Sequence, residues 1–340
     1  MSALATPPGV ESVSTSRQVP IVCPGHTRPI AEVFFSPITE DGSFLISACH
    51  DKAPMLRNAS SGDWIGTFAG HKGAVWSAKL CSEALLAATG SADFSAKIWD
   101  AITGKELHEF THKHIVKSVE FSHDRQSLIT SGHEGILRVF DLTSLQQTAE
   151  IPHSETEKLT VNKAIFGVHP HTVLTGASNG TVHVWDLRTS TMAKGFTVGK
   201  GTHAVNETDH VKRLGGAPRT SHVQDMELVR TAQHGAEVLT IASGATVSLF
   251  NGSTFEMLQS FAMPINFLHE GGASMHPSGT RFVAGGSDVE VRTFDAATGS
   301  ELECLKGHHG PVRCVRYSKD GERFATGSED GTIRLWDTAT

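Results

Sequence analysis

Residues 307–337 read GHHGPVRCVRYSKDGERFATGSEDGTIRLWD, and this stretch decides the fold. It opens with Gly-His and closes with Trp-Asp. Between these marks lie three segments in which apolar and polar residues alternate, at residues 312–317, 323–328 and 332–337. Turns rich in Asp and Gly separate the segments, at residues 319–321 and 329–331. Alternation with a period of two, broken by such turns, predicts three short antiparallel strands.

The closing pair of an aromatic residue and Asp recurs along the chain, at Asp100, Asp141, Asp186, Asp295 and Asp337. Successive pairs lie 41, 45, 109 and 42 residues apart, so the long interval contains one further unit, which ends near residues 249–251. A weaker unit ends 42 residues before the first pair. Seven units of this length are typical of WD40 repeats, each of which forms one blade. The sequence therefore predicts an all-β fold, a single seven-bladed WD40 β-propeller over residues 17–340.

The two ends of the chain predict how the ring closes. The last repeat stops after its third strand, and a spare apolar segment at residues 17–23 precedes the first Gly-His. We expect this N-terminal strand to pair with the last blade as its outer strand, since closure protects open sheet edges. Residues 1–16 are small and polar and predict a disordered tail. Residues 199–222 break the period and predict an inserted loop between blades 4 and 5, either a mobile surface loop or a binding loop.

Four polar positions recur in the repeat and predict a buried hydrogen-bond chain within a blade. They are the His of Gly-His, a Ser before the turn, the turn Asp and the closing Trp. The two complete sets are His71, Ser91, Asp93 and Trp99, and His308, Ser328, Asp330 and Trp336. Elsewhere the set decays, with Cys49 and Arg57 in blade 1, Glu134 and Phe140 in blade 3, and Ala177 and Asn179 in blade 4. Because buried polar groups persist only when they are satisfied, we interpret the His–Asp pairs as structural rather than catalytic.

Composition argues against several functions. The net charge of −7 and the single Tyr argue against direct nucleic-acid binding, which uses clustered cations and stacking aromatics. Five scattered cysteines without a CxxC pair are typical of reduced thiols in a cytosolic or nuclear protein. The twenty histidines contain no HExxH and no zinc-ligand spacing, so no metal or cofactor is expected.

No apolar run is long enough to span a membrane. No nucleophile with a base emerges outside the repeat sets, so the chain is not predicted to be an enzyme.

Residues 63–76, DWIGTFAGHKGAVW, carry a closer resemblance, together with residues 25–29, 44–49, 92–101, 112–117 and 307–336. They are similar to the serine-threonine kinase receptor-associated protein family, also called the unr-interacting proteins, over about residues 17–337 apart from 199–222. The resemblance implies a non-catalytic adaptor. Family members bind the survival-motor-neuron complex, which loads Sm proteins onto spliceosomal small nuclear RNAs, and the RNA-binding protein unr, and in animals they bind TGF-β receptor signalling components.

From this resemblance we expect survival-motor-neuron components, an unr-like protein and receptor kinases as partner classes. We also expect a role in snRNP assembly, mRNA splicing or mRNA regulation, a cytoplasmic and nuclear location, and a monomer within a larger complex. The alternative is a WD40 subunit of the translation initiation machinery, which is built similarly. The amino-acid sequence of the first three repeats favours the receptor-associated family.

Propellers bind partners through the narrow face around the central channel, where loops from every blade converge. Candidates on this face occupy matching positions just after the first strand residue of their repeats: Trp76, Lys117, Asn162 and Arg313. His50 and His133 each precede a turn acid and are expected to face the same way. Each can also be an ordinary exposed polar residue, and Trp76 can simply be packed. Exposed Trp and Arg are common at binding hot spots, which makes Trp76 the first candidate.

Overall fold

The structure is a computed structural model that describes residues 18–198, 222–232, 237–265, 267 and 271–338. These residues form 28 strands in seven four-stranded antiparallel sheets, and no helix is present among them. The described part of the chain accordingly offers no helix that could cross a membrane. The predicted all-β, seven-bladed propeller is confirmed.

The strands follow one another blade by blade. Blade 1 contains β2 (Ile30–Phe35), β3 (Phe44–Cys49), β4 (Met55–Asn58) and β5 (Trp64–Thr67), and blade 2 contains β6 (Val75–Leu80), β7 (Leu86–Ser91), β8 (Ser95–Asp100) and β9 (Glu106–Thr111). Blade 3 contains β10 (Val116–Phe121), β11 (Ser127–Gly132), β12 (Ile136–Asp141) and β13 (Gln146–Pro152), and blade 4 contains β14 (Val161–Phe166), β15 (Thr172–Ala177), β16 (Thr181–Asp186) and β17 (Thr191–Thr197).

The remaining three blades repeat the pattern. Blade 5 contains β18 (Val223–Arg230), β19 (Glu237–Ser243), β20 (Thr246–Asn251) and β21 (Met257–Ala262), and blade 6 contains β22 (Gly272–Met275), β23 (Arg281–Gly285), β24 (Glu290–Asp295) and β25 (Glu301–Lys306). Blade 7 contains β26 (Val312–Tyr317), β27 (Arg323–Ser328), β28 (Ile333–Asp337) and, as its outer strand, β1 (Ile21–Cys23).

The ring closes as the sequence predicts. Strand β1 pairs antiparallel with β28, with Ile21 opposite Leu335 and Cys23 opposite Ile333. The first strand of each blade is innermost, and each contacts the first strand of the next blade around the whole circle, with β26 contacting β2. The predicted N-terminal tail and all but the last residue of the predicted 199–222 insertion lie outside the described residues.

Apolar side chains between neighbouring sheets form the core. One cluster joins Ile30 of blade 1 to Ala325 of blade 7, and another joins Ile46 of blade 1 to Val75 of blade 2. All four side chains are fully buried. Burying one large aliphatic side chain contributes about 1.5–3 kcal/mol. Packing between blades therefore holds the ring even where a blade lacks polar partners.

Candidate functional site

A β-bulge interrupts the innermost strand of six blades at the same place. Among the described strands, the pairing shifts register around Trp76 in β6, Lys117 in β10, Asn162 in β14 and Arg313 in β26. It shifts likewise around Ala31 in β2 and Gln224 in β18. A bulge bends the strand and re-aims one side chain. These six residues line one opening of the central channel, and we call them the mouth.

The mouth contains four of the six residues that the sequence singled out for partner binding. Ala31 and Gln224 were missed, although both follow the first residue of their inner strands and the same spacing identifies them. The structure thus brings Trp76, Lys117, Asn162 and Arg313 together around one opening.

Trp76 is half-buried and packs between two neighbours. The centroid of its ring lies 4.5 Å from that of His50, and the Lys117 ammonium lies 4.6 Å from the ring centroid on the mouth side. The indole N–H of Trp76 is buried and has no acceptor among the described residues, and His50 Nε2 is likewise buried without a partner. Unsatisfied buried polar groups are rare in folded proteins. Trp76 is therefore packed, as one interpretation predicted, but it also carries an unused donor.

The two histidine candidates contribute no charge at neutral pH. Burial, together with Arg313 and Lys117, lowers the pKa of His50 to about 4. His133 is exposed and stacks on His114 with ring centroids 5.1 Å apart. Partial burial, Lys117 and His114 lower the pKa of His133 as well. The positive charge around the mouth therefore comes from Lys117 and Arg313.

Phe94 is a further aromatic residue on this face, which the sequence analysis missed. It is 42% exposed, its ring lies 5.3 Å from that of His114, and its φ of 69° is in the left-handed region. The same turn position carries Gly135 in blade 3 and Gly331 in blade 7, where positive φ costs nothing. A bulky residue in this conformation is strained. The signal in the sequence was Phe directly after the turn Asp, where other repeats have Gly.

Below the mouth, charged side chains from different blades cross the channel. Lys163 of blade 4 pairs with Glu32 of blade 1, and both Arg316 Nη atoms of blade 7 lie 2.6 Å from the Asp225 carboxylate of blade 5. Lys79 lies 3.2 Å from Glu32. All five side chains are buried. This network is not visible in the sequence, because its partners lie as far apart as 131 residues.

Mutual pairing keeps this buried network ionised. Burial opposes the charge on Glu32, but Lys163, Lys79 and Arg316 outweigh it and hold the pKa of the carboxyl well below its ordinary value. Burial likewise opposes the charge on Asp225, and Arg316 and Lys163 lower the pKa of its carboxyl. Removing one partner from a buried ion pair typically costs about 3–5 kcal/mol, because the other charge is left uncompensated. The network fixes the inner strands that present the mouth.

The predicted hydrogen-bond chain is wrong at one of its four positions: the hydroxyl belongs to Thr89 and Thr326, and not to Ser91 and Ser328. The Trp99 indole donates to Thr89 Oγ1 at 2.8 Å, and Thr89 Oγ1 lies 2.7 Å from His71 Nε2. His71 Nδ1 lies 2.8 Å from Asp93. In blade 7 the same chain runs through Trp336, Thr326, His308 and Asp330, at 2.9, 2.8 and 3.0 Å.

Strand geometry explains the correction. Trp99 lies opposite Ala87 in the sheet, so Thr89 is its diagonal neighbour, whereas Ser91 is four residues along. Four residues span about 13 Å, beyond the reach of the indole. Ser91 instead donates to the Gly73 carbonyl and accepts from the Asp93 amide, both at 3.1 Å. Ser91 therefore stabilises the turn and takes no part in the hydrogen-bond chain between Trp99 and His71.

The same hydroxyl position persists where the set was expected to decay. The hydroxyls of Ser47, Thr130 and Thr175 each lie 2.8 Å from a ring nitrogen of the blade's histidine, in blades 1, 3 and 4. Burial and neighbouring groups lower the pKa of His112 in blade 3 to about 4 and that of His153 in blade 4 to about 3. His112 and His153 are therefore neutral parts of the scaffold at pH 7.

One group in the described part of the chain has metal-type ligand atoms close together: His26, Cys49 and Asp51, within 4.8 Å of one another. Both ring nitrogens of His26 are already hydrogen-bonded, to Asp51 and to Ser47, each at 2.8 Å. Burial raises the pKa of the Cys49 thiol to about 12, and a neutral thiol is a poor ligand. The hydrogen bonds of blade 1 account for this cluster.

Comparison with known proteins identifies relatives of this chain that share its repeats and most of its length. The family model of the WD domain, G-beta repeat, matches residues 62–100, 104–141 and 299–337. The serine-threonine kinase receptor-associated protein of Gallus gallus is 42% identical over 322 residues, which cover 95% of this chain and 83% of that protein. The protein of that name from Dictyostelium discoideum is 39% identical over 318 residues, which cover 93% of this chain and 98% of that protein.

A more distant likeness concerns translation. Subunit I of eukaryotic translation initiation factor 3 from Culex quinquefasciatus is 27% identical over 345 residues, covering 93% of this chain and 95% of that protein. The higher identity to the first group matches the resemblance seen in the early repeats. The chain therefore belongs to the serine-threonine kinase receptor-associated protein family of WD40 propellers.

Proposed function

We propose that this chain is a non-catalytic adaptor that binds protein partners at the mouth. The ring of bulged residues carries the proposal, because the fold repeats one local distortion in order to point Trp76, Lys117 and Arg313 at the same opening. Trp76 is half-buried, and Trp is enriched among the hot spots of protein interfaces. The charged network beneath holds these side chains on rigid strands, which lowers the entropic cost of binding.

The partners that fit the family are the survival-motor-neuron components and Sm proteins, with an unr-like RNA-binding protein as a second class. Identity of about 40% across nearly the whole chain supports a shared role with these relatives in snRNP assembly, splicing or mRNA regulation. Their name also associates them with receptor kinases, a third class. The proposal places the chain in the cytoplasm and nucleus, as a monomer within a larger complex.

The alternative function is that of a WD40 subunit of the translation initiation machinery. It is supported by the 27% identity to subunit I of initiation factor 3 across 93% of this chain. The lower identity makes it the second candidate. The two functions differ in the partners that they require.

Affinity purification from the chain's own cells, followed by mass spectrometry, tests the proposal. The tagged wild type is compared with Trp76→Ala and with Trp64→Ala, a matched control on the outer strand of blade 1 whose Trp is 60% exposed. We expect survival-motor-neuron components and Sm proteins with the wild type and the control, and their loss with Trp76→Ala. Recovery of initiation-factor subunits instead supports the alternative, and identical partners for all three chains contradict binding at the mouth.

Phe94 extends the proposed contact surface and gives an independent test. Because its left-handed φ is unfavourable for a residue with a Cβ, Phe94→Gly should stabilise the fold by about 1 kcal/mol. The same change removes an exposed aromatic ring and should weaken partner capture. Thermal melting and affinity purification measure the two effects. A variant that melts higher and captures its partners as well as the wild type would remove Phe94 from the interface.

A further inference from the structure

The Lys117 ammonium carries a positive charge that no neighbour among the described residues balances. Among the described residues no carboxylate pairs with it, and its hydrogen-bond acceptor is Asn162 Oδ1, at 3.5 Å. Asn162 itself is held in place, since its Nδ2 donates to the Val223 carbonyl at 2.9 Å. Burial and the nearby Arg313 lower the pKa of Lys117, as expected for a cation that lacks a counterion. Arg313, by contrast, pairs with Glu329 at 3.1 Å.

An aromatic ring lies next to Lys117 at the mouth. The ammonium lies 4.6 Å from the centroid of the Trp76 ring, whose own N–H is buried and has no acceptor in the described part of the chain. Both side chains line the mouth. The carboxylate deeper in the channel, Glu32, is already neutralised by Lys163 and Lys79. The opening therefore places the Lys117 ammonium, which has no carboxylate partner among the described residues, beside the Trp76 ring.

We propose that the mouth is a socket for one carboxylate, the side chain of an Asp or Glu that a protein partner inserts beside Lys117. One uncompensated ammonium matches a single negative charge better than the two charges of a phosphate, and the net charge of −7 repels polyanions. This inference rests on the proposed function, because it specifies what the partner presents at the same mouth.

Titration of the ¹⁵N-labelled full chain, followed through the Trp76 indole N–H signal, tests the socket. The probe is the peptide acetyl-Gly-Ser-Gly-Glu-Gly-Ser-Gly-amide, its control is the peptide with Gln in place of Glu, and Trp76→Phe identifies the signal. We expect the Glu peptide to shift this signal with at least about tenfold higher affinity than the Gln peptide, as for a charge-assisted hydrogen bond. The absence of a shift, or equal shifts with both peptides, overturns the proposal.

Substitutions of Lys117 test whether its ammonium is the group that binds the carboxylate. Lys117→Met keeps the apolar stem over Trp76 but removes the charge, so it should abolish the preference for Glu, and Lys117→Arg should retain it. Lys319→Met is the matched control, because Lys319 is an exposed lysine that lines the opposite opening of the channel. It should leave the titration unchanged. A preference for Glu that survives in Lys117→Met contradicts the proposal.

Partner capture separates failure of the socket from failure of the proposed function. Affinity purification with Lys117→Met should lose the same partners as Trp76→Ala. If Trp76→Ala loses the partners and Lys117→Met keeps them, the carboxylate socket is wrong and the mouth still binds partners. If both variants keep the partners, binding at the mouth is wrong as well.

Discussion

The Thr89 hydroxyl joins two buried groups, and its removal tests the hydrogen-bond chain of blade 2. Thr89→Val keeps the shape of the side chain and leaves the Trp99 indole N–H and His71 Nε2 without partners. Each buried polar group left unsatisfied costs about 1–3 kcal/mol, so the variant should lose about 2–6 kcal/mol. Ser91→Ala should lose only about 1 kcal/mol, because its partners Gly73 and Asp93 are half-buried and water can replace the hydroxyl.

Thermal melting gives the comparison directly. Unfolding entropy scales with chain length, so for a chain of this size 1 kcal/mol corresponds to about 1.5 °C. We expect Thr89→Val to melt about 3–9 °C below the wild type and Ser91→Ala about 1–2 °C below it. Thr89→Ser, which keeps the hydroxyl, should lie close to the wild type. If Ser91→Ala costs as much as Thr89→Val, the reasoning from strand geometry is refuted.

Further predictions concern the other polar groups. Asp330→Ala should lower the free energy of unfolding by about 1–3 kcal/mol more than Asp288→Ala, because Asp330 accepts from a buried histidine while Asp288 pairs with a partly buried arginine. Equal melting shifts for the two variants would argue against the hydrogen-bond chain of blade 7. Arg316→Met should lower the free energy of unfolding by about 3–5 kcal/mol, as measured in urea, and adding Asp225→Leu should restore most of that loss. A double variant as unstable as Arg316→Met alone would contradict this. The pKa of His112, about 4 in the fold, means that its unfolded form binds more protons below about pH 6.5. Stability should therefore fall as the pH falls from about 6.5 to 4, and a flat melting temperature there would contradict this.

The sequence was sufficient for the fold because the repeat states the same information several times. The aromatic-Asp endings and their spacing predicted the number of blades, and the spare strand at residues 17–23 predicted the pairing of the N-terminal strand with the last blade, which β1 and β28 form. The mouth residues could also be predicted, because they share one position in the repeat, and Trp76 was identified from that spacing. Inspection of one repeat could not distinguish Ser91 from Thr89, because both side chains lie on the same face of the strand and only the position of Trp99 in the neighbouring strand separates them.

The parts that could not be predicted depend on contacts across the ring. Glu32 and Lys163 belong to blades 1 and 4, and nothing in either repeat indicates that they meet in the channel. The unused donor of Trp76 likewise depends on which neighbours the bulge brings near it. Local patterns predict strands and turns, whereas buried charge pairs and unsatisfied donors depend on the closed ring.

Site-specific photo-crosslinking in the chain's own cells tests the central claim, binding of a protein partner at the mouth, most directly. Benzoylphenylalanine is placed at Gln224 of the mouth in one chain and at Trp64 of the outer strand of blade 1 in another. We expect crosslinks to survival-motor-neuron or Sm proteins from position 224 and none from position 64. Crosslinks from position 64 alone would contradict it and move the binding surface to the outer edge of the propeller.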